Sequence, residues 1–447
     1  MKKVFFALIF AFAVFDLFSQ EIEDSVSAAE ESADTNNASE EIADDDLLDL
    51  FDSAEDTDAV ITDSKNSGEV TINAGGFSIP LTFSGYLESS VGAGDIWEDG
   101  KHKPSGYFTF LNYLYLNARP DKTLSIHGSL RTVLPSGSTT SNSSTDSILS
   151  VYELYFTYLL FDSVFITAGK KATSWGYVRL IGTSDDDSNA EDTASGSAYK
   201  YGGISTNIIS DSRNGTSGLI RIPFWTGTIS AIALYNESYG AASNMSAGKM
   251  SFALSVEQTF FKTSLNLFAR KYPSLDKNDV ELSESAKIRP VAGAEIKRTI
   301  FDADVYAQSI AQLYDRKTLV DERSVKGLGS IVNTVGLYKW WNKHDPNFGF
   351  NVEYQDVYFP ITETHSRCMA YDVGLAHLGK KKNIKLGASG YHSFTKKNGY
   401  VKPGIIFSGL IPHATWENGV RVDYGESDSF VSPKITFGSY IKITLNY

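Results

Sequence analysis

The sequence predicts an all-β chain: a transmembrane antiparallel β-barrel of about 16–18 strands behind a disordered acidic N-terminal extension. Three observations predict it. Tyr and Phe number 24 and 27, against one Cys and 4 Met, and aromatic residues suit a pleated, half-buried surface. From about Phe77 onward, short segments alternate apolar and polar residues, the period of a strand with two unlike faces. The connections between these segments alternate short and long, as turns and loops do at the two rims of a membrane barrel.

The final segment is the clearest strand. Phe437, Ile441, Ile443, Leu445 and Tyr447 fall on one face, and Gly438, Tyr440, Lys442, Thr444 and Asn446 on the other. In 150–160, Tyr152, Leu154, Phe156, Tyr158 and Leu160 oppose Val151, Glu153, Tyr155 and Thr157. In 287–297, Ile288, Ala292, Ala294 and Ile296 oppose Lys287, Arg289, Val291, Gly293, Glu295 and Lys297. Charges at alternate positions mark the second face as wet. Short turns are expected at 120–122, 161–163, 224–226, 260–262 and 299–301. Longer polar loops are expected at 92–105, 135–147, 172–215, 237–248, 273–285, 315–325, 359–366, 395–400 and 425–433. Strands laid between them number about 18, or 16 if the short ones near 216–223 and 416–424 fail.

The N-terminal part divides from this body. Lys2 and Lys3 followed by the apolar run Val4 to Phe15 read as a signal peptide over 1–20, with Ser19 before the cut. Residues 21–70 read as a disordered periplasmic extension, and 71–447 as the barrel. From Glu21 to Asn66 there are 17 acidic side chains and one basic, Lys65. The chain's net charge is −14, so the body from Ser67 onward is near neutral. The tail is too acidic to bury a core alone. Leu47, Leu48, Leu50 and Phe51 form an apolar knot within it.

No later stretch approaches 18 consecutive apolar residues, which argues against membrane-spanning helices. A soluble multi-domain β-sandwich is the competing architecture. It does not call for a terminal aromatic or for so many aromatics near strand ends.

Chemistry is hard to find. His102, His127, His344, His365, His377, His392 and His413 fall in no hydrolase or zinc motif. Cys368 stands alone and reads as a small apolar filler. Ser184 to Asp187 lacks calcium-loop spacing. The near-neutral body and acidic tail disfavour nucleic acid. No catalytic residue, cofactor or metal is predicted.

The terminal strand ending in Tyr447 resembles the aromatic-ended signal of bacterial outer-membrane porin-like barrels. The segment Ile166 to Gly176, with Gly169-Lys170-Lys171 and Trp175-Gly176, is similar to a strand end of alginate-export-like porins, where Gly-Arg-Gln is common. The acidic leader resembles that of spirochaetal outer-membrane proteins. The resemblance covers Phe77 to Tyr447. It implies an outer-membrane location, lipid contact, recognition of the last strand by the assembly machinery, and an oligomeric state that includes homo-oligomers.

Inward faces would then carry Arg131, Glu153, Arg221, Glu257, Arg270, Arg289, Glu295, Lys385, Arg421 and Lys442. Lys287, Lys297, Asp304, Glu353 and Asp423 join them. Such charges tune a pore or pair across strands. The loop 172–216 is the longest, and Asp185, Asp186, Asp187, Glu191 and Asp192 make it a candidate constriction. The expected function is passive passage of small hydrophilic solutes, without enzymatic activity. The alternatives are a fatty-acid-type transporter of hydrophobic substrates, and a surface adhesin or structural barrel. Trp97, Tyr107, Tyr113, Tyr115, Trp175, Tyr177, Trp225, Trp340 and Trp341 are expected to divide between interfacial girdles and the lumen.

Overall fold

The computed structural model describes residues 68–74, 77–134, 149–171, 173, 175–181, 215–236, 246–275, 279–281, 290–313, 328–341, 346–425 and 431–446. All lie in one compact unit, Asp44–Tyr447. The expected signal peptide and nearly all of the acidic extension fall outside these residues.

Among the described residues nineteen strands follow one another: β1 Gly68–Ala74, β2 Phe77–Glu98, β3 Lys101–Ala118, β4 Leu124–Leu134, β5 Leu149–Leu160, β6 Val164–Lys170, β7 Gly215–Phe224, β8 Gly227–Asn236, β9 Met250–Phe260 and β10 Thr263–Lys271. Then come β11 Val291–Ile300, β12 Ala303–Leu313, β13 Leu328–Trp341, β14 Asn347–Phe359, β15 Thr364–Leu378, β16 Ile384–Ser393, β17 Asn398–Ile411, β18 Ala414–Tyr424 and β19 Lys434–Asn446. From β2 to β19, each pairs antiparallel with its neighbour in sequence. β19 then returns to β2, from Ile435 against Trp97 to Asn446 against Tyr86. This closes an 18-stranded barrel, the upper end of the expected range. β1 takes the same edge of β2 beyond the end of β19, pairing Gly68 with Phe83.

Closure leaves β2 to β19 each paired on both sides, the condition for a sheet to cross a bilayer. The alternation then sorts side chains by face. On β19, Phe437, Ile441, Ile443 and Leu445 are 38–45% exposed, while Thr436 and Tyr440 are buried. Leu154, Phe156, Leu265, Leu267, Ile296, Val335, Leu337 and Trp416 continue this outward apolar belt. It is the lipid-facing surface of a transmembrane barrel. Among the described residues no helix is long and apolar enough to cross a membrane.

Three of the expected long loops are tight turns. Asp99 and Gly100 alone join β2 to β3, so 92–105 is mostly strand. Only 360–363 and 394–397 separate the strands at the other two. Polar composition misled there, because strands that project past the membrane carry polar residues without leaving the sheet. These turns and the long loops share one rim. At the opposite rim, the Phe161-Asp162, Phe261-Lys262 and Phe301-Asp302 turns have both central residues at positive φ, between 46° and 63°. This is the type I′ geometry that matches strand twist.

The face assignment on β5 needs one correction. Ser129 pairs with Glu153 but Leu130 pairs with Val151, which leaves Tyr152 as an extra residue. The bulge reverses parity beyond it. Val151 turns outward at 43% exposure. Tyr152 turns inward, its ring edge-on to Tyr113 at 4.9 Å.

Candidate functional site

The site is built on inward positions of β9 to β17. Period-2 alternation directs Glu257, Glu295, Asp304 and Glu353 from β9, β11, β12 and β14 into the lumen. Glu295 and Glu353 are fully buried, at 1% and 0% exposure. Carboxylates cannot stay there without donors. Neighbouring strands supply some: Asn266 Nδ2 lies 3.2 Å from Glu295 Oε2, Gln308 donates to Glu295, and the Tyr306 hydroxyl donates to Glu353.

The remaining donors come from the chain after β6. Trp175–Ile181, the described start of the longest loop, runs through the barrel interior. The Tyr177 N–H donates to Glu295 Oε1 at 3.2 Å, and its hydroxyl to Glu257 Oε1 at 2.8 Å. Three successive N–H groups then converge on one carboxylate. Arg179 donates to Glu353 Oε1 at 2.6 Å, and Leu180 and Ile181 donate to Oε2 at 3.0 and 2.7 Å. Consecutive amides aimed at one anion form a nest. An extended loop thus obtains its hydrogen bonds from the wall instead of from water.

Apolar contacts complete the strap. Trp175 packs against inward Leu219, Ile232, Ala253, Phe268, Ile310, Val332 and Val357. Leu180 and Ile181 pack with Cys368, Ala370 and Tyr400. The Arg179 guanidinium lies 4.0 Å from the centre of the Tyr338 ring and 3.8 Å from Asp304. The strap therefore follows the wall from β9 to β17.

Across the lumen, β3 to β7 present rings and cations. Arg131 lies over Tyr113 and Tyr152, 5.9 and 5.7 Å from their centres. Lys171 lies 4.6 Å from the centre of the Tyr155 ring. His127 stands 3.5 Å from Glu153, and Arg221 shares the inward register of Leu219. The strap thus lines one part of the inner wall, and cationic and aromatic side chains line another.

The other expected positions are accounted for as follows. Arg270 reaches Ser251 Oγ at 2.7 Å, Arg421 pairs with Asp423 at 2.9 Å and Lys442 with Glu88 at 3.1 Å. Lys385 pairs in register with Ile406. Lys287, Arg289 and the acidic set Asp185, Asp186, Asp187, Glu191 and Asp192 lie outside the described residues. Trp175 and Tyr177 belong to the lumen, while Trp97 and Trp225 are exposed, at 46% and 93%. Sequence reading missed the role of the strap amides and of Arg179. The available signal was the apolar run Val178, Leu180, Ile181 inside an otherwise polar loop. Among the described residues no cluster of His, Cys, Asp and Glu could hold a metal.

No family model matches the chain, and no curated protein matches it. Solved structures of similar architecture include Pseudomonas aeruginosa OccK3 (OpdO), at 8% identity and TM-score 0.49, covering 81% of this chain and 96% of that one. A BenF-like porin from Pseudomonas fluorescens Pf-5 has 11% identity and TM-score 0.49, covering 82% and 99%. A mutant of the Rh. blastica porin has 8% identity and TM-score 0.39, covering 82% and 100%. What this lumen can pass is set by its own side chains.

Proposed function

We propose that the protein is an outer-membrane channel for passive passage of small hydrophilic solutes. One observation carries this reading: a strap of the chain's own longest loop is fastened inside a barrel whose inner wall on β3 to β7 carries charged and aromatic side chains. An 18-stranded barrel without such a strap encloses a wide aqueous space. With it, the lumen narrows while staying lined by Arg131, Glu153, Arg221 and Lys171. A ring of mixed charge at a constriction discriminates among solutes.

Trp175 packs against the inward apolar cluster on β7 to β14 and covers part of it. That disfavours transport of hydrophobic substrates through the same space. The acidic extension then belongs in the periplasm, on the side of the short turns, and the last strand is the segment that assembly machinery would read. No enzymatic role is assigned.

Purified barrel in planar bilayers tests the proposal. Stepwise conductance is expected. A barrel that folds and inserts but conducts nothing would overturn it.

A further inference from the structure

One feature of the wall is independent of the strap. Gly349 on β14 pairs with Gly374 on β15, which pairs with Gly387 on β16. Gly387 pairs with Gly404 on β17, and Gly404 with Gly419 on β18. Gly419 pairs with Gly438 on β19, and Gly438 with Gly94 on β2. Seven adjacent strands therefore place glycine at directly paired positions. Glycine is 36 of 447 residues, too few for such a row to follow from composition.

Paired residues in an antiparallel sheet share a face. Gly438 shares its face with inward Thr436 and Tyr440, so the row faces the lumen. A row of paired residues runs perpendicular to the strands, and tilted strands make it climb as it circles the barrel. Gly349 is two residues from the short-turn end of β14, Gly404 is seven from that end of β17, and Gly94 is four from the opposite end of β2. The row thus winds from one rim toward the other.

Glycine here is not explained by packing throughout. Trp340 fills the space over Gly349, but a Cβ on Gly374 or Gly387 would meet nothing nearer than 3.7 or 3.5 Å, ordinary contact. Glycine inside a strand weakens it and marks a bulge, a tight bend, or close approach of a ligand or of another backbone; no register shift falls at the paired glycines themselves.

The flanking rows show what would approach. On one side lie Asp372, Ser389, Lys402, Arg421 and Thr436, and on the other Lys385, Ile406, Glu417 and Tyr440. Arg421 holds Asp423 and lies 4.4 Å from the centre of the Tyr400 ring, and Glu417 accepts the Tyr440 hydroxyl. With Asp423 included, the acids Asp372, Glu417 and Asp423 stand beside the bases Lys385, Lys402 and Arg421. Such flanks offer hydrogen bonds and ring faces, with opposite charges in balance. We propose that the glycine row from Gly374 to Gly94 is the floor of a spiral track for uncharged, polyhydroxylated solutes of the sugar class. This rests on the channel reading above.

The test uses the full chain in liposomes, with D-glucose and gluconate as permeants and KCl conductance in planar bilayers. Gly387→Leu and Gly374→Leu should lower glucose-driven swelling about threefold or more, with gluconate flux and KCl conductance reduced less. Gly387→Ala should fold and give an intermediate loss. Gly218→Leu, at an outward position with open space, should change nothing. Unchanged glucose flux in folded variants, or equal loss for glucose and gluconate, overturns the track. In that case wild-type conductance persists, whereas failure of the channel reading removes conductance from the wild type itself.

Discussion

The backbone N–H of Ile181 donates to the buried carboxylate of Glu353 at 2.7 Å, although 172 residues separate them. That bond joins the far end of the strap to β14. Two more amides and the Tyr306 hydroxyl share the same carboxylate, so Glu353 is the main polar fastening of the strap.

Glu353→Ala should release this end of the strap. Each buried donor left without its acceptor costs about 1–3 kcal/mol. The barrel, closed by its own ladders, should still fold. Larger and noisier single-channel conductance is expected in planar bilayers. An unchanged trace would mean that the strap does not limit the pore.

Trp175→Ala should loosen the other end. Truncating a packed Trp costs about 3–5 kcal/mol. Limited proteolysis checks it: trypsin should cut at Arg179 faster in the variant than in wild type. Equal protection would show that Trp175 is dispensable for holding the strap.

The wall itself makes a prediction about register. Ile441→Arg places a cation on the lipid face of β19 and should destabilise the barrel by about 2–4 kcal/mol near the midplane. The next residue, Lys442, is already a cation, held inside by Glu88 at 3.1 Å. Urea unfolding from lipid vesicles should report a large loss for Ile441→Arg and little for Lys442→Arg.

The Phe261-Lys262 turn carries two bulky residues at φ 46° and 63°. Left-handed backbone costs a non-glycine residue roughly 1–2 kcal/mol. Part of that gain is lost to the greater freedom of glycine in the unfolded chain. Lys262→Gly should therefore stabilise by about 0.5–1 kcal/mol in the same unfolding assay.

At the Pro120–Thr123 turn, the Asp121 carboxylate is held below its ordinary pKa by the Thr123 hydroxyl and then by the N–H groups of Thr123 and Leu124, at 2.7 and 2.8 Å. A depressed carboxylate pKa contributes above the unfolded value and is lost as pH falls through the folded one. Protection of the Thr123 and Leu124 amides, read as exchange relative to the intrinsic rate at each pH, should therefore fall on acidification. Asp121→Asn should remove that pH dependence.

How much of this was legible beforehand follows from the range of each interaction. The alternation of Phe437 to Asn446, the apolar outer face of β11 and the tight turns at Phe161 and Phe261 are local, and each was readable from neighbouring residues. The bulge at Tyr152 was not, because its signal is a register shift against β4. The turn at Asp99-Gly100 was hidden by polar strand ends that look like loop.

By itself, the sequence determined the class of fold: period-2 patterning and short-long connections admit few closures other than a barrel. It also separated an acidic leader from a near-neutral body by charge alone. Tertiary structure decided where the longest loop begins its course, because amides carry no identity in sequence and find Glu295 and Glu353 only once 11 and 14 strands are in place. It also decided that seven glycines scattered between Gly94 and Gly438 form one row. Pairing across strands brings together residues that the chain keeps apart, and only the closed sheet fixes that pairing.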